Sequence, residues 1–409
     1  MTLALTAART ARFTAVLALL IGVGLPAAVG AQPQPSVQLS SSIAEIPFQM
    51  IDNRVVFAGS VNGSDELPFV LDTGARASAV LGPIGDSLGL TFVGQARVGN
   101  GGEGIMAPVA IGAAIRLGRD VVIENETIVA MLDQDLASLL GFAANGITGA
   151  ALFRNAIVGL DFEREVLKVH RSLPDIPGDA ARIPVTIEDG GVPYAVLDAE
   201  FADGTSVPVK VIVDLGQGQS MSLNVGSDPG IHLPSEVLHV AGYGTRFDGS
   251  EISGHFGRIA RLRLGQHALP DVIVSFPDAE SQINRAERQG SIGAEILRRF
   301  HVLFDYAGGF MYLSPNSSFD DPFEFDMSGL RLTSEAGVVR VANVGEGSPG
   351  AEAGLRPGDE IVEVDGAAVK WTSLPDIRRR MRSDGRALRI VYRREGEQRE
   401  TTVHLRRRI

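Results

Sequence analysis

The chain has 409 residues, 44% hydrophobic and 21% charged, with a formal net charge of −12, which provides enough apolar sequence for two or three cores. It contains no cysteine, so disulfides, thiol catalysis and thiolate metal sites are excluded. The acidic balance argues against nucleic acid as a partner.

Arg9 and Arg12 precede an apolar run from Phe13 to Val23, and Val29-Gly30-Ala31 follows as a small-residue cleavage pattern. Residues 1–31 therefore read as a secretory signal peptide. The run is shorter than the ~20 apolar residues a span requires, which predicts an exported protein, periplasmic or secreted, with no stable membrane insertion once the signal is removed. Residues 32–42 are polar and contain proline, and read as a disordered lead-in.

From Ile46 onward, short β-branched runs alternate with Gly, Asn and Asp turns, the pattern of a mainly β protein. Arg54 to Val61 and Leu67 to Leu71 predict a hairpin whose second strand runs into Asp72-Thr73-Gly74. Alone, that tripeptide is commonly just a strand ending in a turn. Leu81 to Leu88 predicts a short helix. Gly99, Gly101 and Gly104 have dinucleotide-fingerprint spacing, but Ala107-Pro108-Val109 follows where a helix is needed, so the stretch predicts a glycine-rich hairpin with Gly101 and Gly102 near its tip.

An internal repeat organises the remainder. Gly146-Ile147-Thr148-Gly149-Ala150-Ala151-Leu152 matches Gly290-Ser291-Ile292-Gly293-Ala294-Glu295-Ile296, and Phe69-Val70-Leu71-Asp72-Thr73-Gly74 matches Val211-Ile212-Val213-Asp214-Leu215-Gly216 at nearly the same separation. Two copies of one β unit are predicted, 43–172 and 180–315, joined by Leu173 to Asp179. Each has a glycine-rich hairpin, the second containing Gly244. The tail, 326–409, reads as a small αβ module, with Ser348-Pro349 starting a helix and Asp365-Gly366 closing a hairpin. Its clusters Arg378 to Arg380 and Arg406 to Arg408 read as solvated charge.

If the units pack about a pseudo-twofold axis, Asp72 meets Asp214. Close carboxyls share a proton, so one can activate water while the other polarises a carbonyl. A pairing within the chain and one across a homodimer through Asp72 alone both satisfy this requirement.

These residues resemble the retropepsin-like aspartic proteases, in which an Asp-Thr-Gly loop is followed by an apolar-apolar-Gly segment and a short helix. The repeat resembles a tandem, single-chain form of that fold. Gly345-Glu346-Gly347-Ser348-Pro349-Gly350-Ala351-Glu352-Ala353-Gly354-Leu355-Arg356-Pro357-Gly358-Asp359 resembles a PDZ domain of the bacterial secreted-protease type. The resemblance implies catalytic Asp72 and Asp214, supporting loops with Thr73, Gly74, Leu215 and Gly216, flaps at Gly101, Gly102 and Gly244, and a carboxylate-binding loop at Gly329, Leu330, Arg331 and Leu332. It implies peptide or unfolded protein as substrate, protein C-termini at the PDZ groove, and no cofactor. Leu215 stands where the family has a hydroxyl residue, and Thr148 and Ser291 stand where it has apolar ones. These departures leave an active protease and a peptide-binding pseudo-enzyme both open. Gly218-Gln219-Ser220-Met221-Ser222 has Gly218 but Ser222 where a serine nucleophile elbow needs its second glycine, and the seven histidines lack zinc-binding spacing. Tyr243 reads as a core or turn residue.

Overall fold

The alternation of apolar and polar residues sets the strands. In Ile43–Ile51, Ala44, Ile46 and Phe48 point inward and Ile43, Glu45 and Pro47 outward; Ala181–Glu188 repeats this with Ala181, Ile183 and Val185. The computed structural model describes residues 20–22, 34–82, 84–99, 104–131, 140–188, 190–246, 250–282, 288–335 and 337–409. The signal-peptide reading, apart from the backbone of Leu20–Gly22, falls outside the described residues, as do Gly101 and Gly102.

Among the described residues, a central sheet takes three strands from each half of the chain. Its order is Ile43–Ile51, Val166–His170, Ile157–Asp161, Phe300–Asp305, Phe310–Pro315 and Ala181–Glu188. The halves meet antiparallel at its middle, Val158 opposite Phe304 and Leu160 opposite Val302. Burial of Phe153, Phe304 and Tyr306 against one another closes this junction.

Each half builds the same pairing around its aspartate. Leu67–Leu71 runs parallel to Gly146–Thr148, and Ser206–Asp214 runs parallel to Gly290–Gly293. Gly146–Thr148 also pairs antiparallel with Ser78–Leu81, which is parallel to Val121–Met131. Gly290–Gly293 pairs in the same way with Met221–Leu223, which is parallel to His267–Pro277. Asp72 and Asp214 therefore leave their strands at corresponding corners.

Two expectations need correction. Part of the lead-in is ordered: Ser36–Leu39 forms an edge strand on Val121–Glu124, because Val37 and Leu39 pack on the main core. Leu81 to Leu88 yields only the 3-10 turn Gly85–Leu88, because Ser78–Leu81 is taken into the sheet and Gly82 turns with φ 84°.

The C-terminal module has its own core, including Leu332, Val341, Ile361, Leu374, Ile377 and Ile390. Its sheet runs Leu330–Glu335, Val338–Val344, Glu360–Val364, Ala387–Arg394, Glu397–His404. Ser348 caps Pro349–Glu352, its hydroxyl accepting from Ala351 N at 3.3 Å. The approach to this module is anchored by the fully buried Arg299, which donates to Ser318 O, Asp321 O and Pro322 O and lies 3.8 Å over Phe323. Carbonyls replace the water that a buried guanidinium loses.

Candidate functional site

Both aspartates are held by their own loops. Asp72 Oδ1 accepts from Gly74 N at 2.8 Å, and Asp214 Oδ1 accepts from Gly216 N at 2.9 Å and Gln217 N at 3.1 Å. Ala150 N donates to Ala75 O and Ala294 N to Gln217 O, both at 2.8 Å, so each loop is backed by the segment after the repeat glycine. These glycines permit the approach: a Cβ on Gly149 would sit 2.6 Å from Ala75 O, and one on Gly293 2.4 Å from Gln217 O.

The two loops cross. A Cβ on Gly74 would lie 2.9 Å from Asp214 Cγ, and the two carboxyl groups hydrogen-bond to each other. Asp72 Oδ2 has no other hydrogen-bond partner among the described residues, which suits a shared proton. Both groups are buried, at 0% and 1% exposure. Burial, then the Asp214 charge and hydrogen bond, push Asp72 well above the usual carboxylate range. Burial also raises Asp214, but the hydrogen bond from Asp72 and the Arg288 charge pull it back, so the two carboxyls titrate as one coupled pair.

Thr73 joins the halves. Its buried hydroxyl donates to Val213 O at 2.6 Å and accepts from Leu215 N at 2.9 Å. Leu215, at the corresponding position, is fully buried in the apolar core, so the interlock has one side. Ser291 Oγ donates to Gln217 Oε1 at 2.5 Å, while Thr148 Oγ1 is buried without a partner among the described residues.

Residues that the sequence reading passed over complete the site. Buried Arg54 donates through Nε to Gly216 O at 3.0 Å and through Nη1 to Asp52 O at 3.1 Å, placing a positive charge behind the carboxyl pair. Burial pushes the Asp52 carboxyl up, but Arg378 and Arg54 outweigh it and hold it below its ordinary value. In sequence Arg54 is only the first residue of a predicted strand, and no local signal marks partners as distant in the chain as Gly216 and Arg378.

The second hairpin, Val237–Thr245 with Glu251–Leu264, reaches the C-terminal module. Arg331 donates to Gly242 O and Ala241 O and pairs with Glu251 at 3.3 Å. Gly244 sits in the strand opposite Ile252, beside this pinned segment. Tyr243 packs edge-on against Phe256 at 4.9 Å.

The module's capped turn, its groove between Leu330–Glu335 and Leu374–Arg380, and its strand order agree with one family match, at 340–394. Residues 340–394 are a PDZ domain. Among curated proteins, none matches the chain. PDZ domains bind peptides by strand addition. In this PDZ domain the Gly329–Leu332 loop is already bonded internally: Gly329 N donates to Asp326 Oδ2 at 2.6 Å and Leu330 N to Ser328 Oγ at 3.0 Å.

The PDZ helix also grips the first half of the chain. Arg378 donates to Asp52 Oδ2 at 2.8 Å, Leu140 O at 3.0 Å and, across the groove, Leu332 O at 3.4 Å. Arg378→Ala should cost about 2 kcal/mol, between exposed and fully buried ion pairs. Limited proteolysis checks this, with release of the PDZ domain preceding degradation of the rest; unchanged resistance would show that the contact carries no docking energy.

The Arg clusters of the tail are mostly ion-paired, as in Arg406 with Glu352 at 2.7 Å and Arg380 with Asp376 at 2.6 Å. Asp161, Glu163 and His301 bring ligand atoms within 4.8 Å of one another on the central sheet, where Lys168 Nζ lies 3.5 Å from Asp161. No described helix is long and apolar enough to cross a membrane.

Proposed function

We propose that this chain is an exported aspartic endopeptidase that hydrolyses extended or unfolded polypeptides, with 43–172 and 180–315 as two retropepsin-like units and the PDZ domain as a peptide-binding module. The observation that carries the reading is the buried, mutually hydrogen-bonded pair Asp72 and Asp214, each seated on backbone N–H groups of its own loop. The recurrence of one strand pairing around both aspartates supports the two-unit organisation.

In this mechanism, ionised Asp214 takes a proton from water as the water oxygen bonds to the substrate carbonyl carbon. Protonated Asp72 donates to the carbonyl oxygen. As the tetrahedral species collapses, Asp214 gives the proton it took to the amide nitrogen, the C–N bond breaks and the amine leaves, while Asp72 takes a hydroxyl proton back as the carbonyl re-forms; both carboxyls regain their starting states without a covalent enzyme intermediate. Arg54 and Arg288 restrain the charge on Asp214.

A second reading, a peptide-binding scaffold without turnover, is favoured by buried Leu215 and by the Arg331 contact that pins the second hairpin. Digestion of casein from pH 3 to 7, with and without a pepstatin-like inhibitor, separates the two. Inhibitor-sensitive cleavage supports the protease. Peptide binding without cleavage at any pH supports the scaffold.

A further inference from the structure

A cavity of about 230 Å³ lies between the PDZ groove and the second half of the chain. Leu330, Leu332 and Met381 form its PDZ side, and Met221, Ala241 and Ile273 the other. A smaller cavity, about 50 Å³, reaches Asp214. Gln219, Tyr243 and Ser275 line both, so the groove and the carboxyl pair are separated by one layer of side chains.

The groove end is not built as an open carboxylate nest. The Asp326 carboxyl takes Gly329 N and the Ser328 hydroxyl, and lies 3.8 Å from Arg408. The Ser328 hydroxyl takes Leu330 N. A ligand carboxylate arriving there would meet a like charge already seated on the donors.

We propose that the shared cavity binds an internal, extended segment of the polypeptide whose neighbouring stretch lies at Asp214, and that a free C-terminus is not required. The argument for this occupant is the single wall of Gln219, Tyr243 and Ser275 that this cavity shares with the aspartate cavity, the apolar lining on both sides and the occupied nest. The proposal deepens the protease reading and rests on it for the identity of the ligand as substrate.

The test uses the full chain carrying Asp72→Asn and the fluorescein-labelled, oxidised B chain of insulin, prepared as C-terminal acid and as amide, in fluorescence anisotropy. Acid and amide should bind within about twofold of each other, and Ala241→Trp, which fills the cavity from an exposed position, should weaken both by roughly tenfold. A tenfold preference for the acid, binding indifferent to Ala241→Trp, or no binding of either form overturns the proposal. Wild-type chain incubated with the same B chain addresses the other reading: binding with no cleavage removes the protease assignment and leaves the shared cavity standing.

Discussion

Asp72→Asn is expected to lower turnover of an unfolded substrate by on the order of 10³-fold while making the folded chain more stable at neutral pH. Both effects come from two buried carboxyls that cannot ionise together. Asp72 has a folded value above its ordinary 3.8, so the folded state holds its proton more tightly than the unfolded chain does. The resulting stability is fully present below 3.8 and is lost as pH rises through the folded value. Asparagine removes this titration and presents a permanent donor to Asp214. The gain should be near zero below the ordinary value and grow as pH rises, by at most about 1.4 kcal/mol for each pH unit, until the folded value is passed. Thermal unfolding of both proteins from pH 3 to 8 checks the sign. A difference constant with pH, or full turnover by the variant, would remove Asp72 from its role.

Thr73→Val is expected to cost about 3 kcal/mol of stability and most of the activity. The isostere keeps the volume but strips the hydroxyl from Leu215 N and Val213 O, and each stranded buried group costs roughly 1–3 kcal/mol. Because Leu215 supplies no reciprocal hydroxyl, this side chain is the sole hydroxyl link between the two loops among the described residues. Thr73→Ser retains the donor and acceptor and should recover most of kcat. A serine variant as impaired as valine would point to lost methyl packing instead.

Several features were legible in the sequence. Strand ends at Asp72 and Asp214 are marked by apolar runs meeting acidic residues, and the glycines at 149 and 293 recur because a backbone carbonyl passes within van der Waals distance of each. The PDZ turn was legible because capping and left-handed glycine positions depend on local sequence. The contacts of Arg54, Asp52, Arg378 and Arg331 were not legible, since their partners are carbonyls and carboxylates brought close only by the packing of three separate segments. The ordered strand Ser36–Leu39 was missed because an edge strand needs a neighbour more than its own composition.

The sequence by itself determined the repeat, the two aspartates and the PDZ domain, because periodicity, turn chemistry and capping act over a few residues. Only the tertiary structure decided that the carboxyls share a hydrogen bond, that the Thr73 hydroxyl bridges the loops, and that the PDZ groove faces the second hairpin with its nest occupied by Asp326. Those outcomes depend on burial and on contacts between segments far apart in the chain, and desolvation, which raises both carboxyls, exists only once the chain is packed.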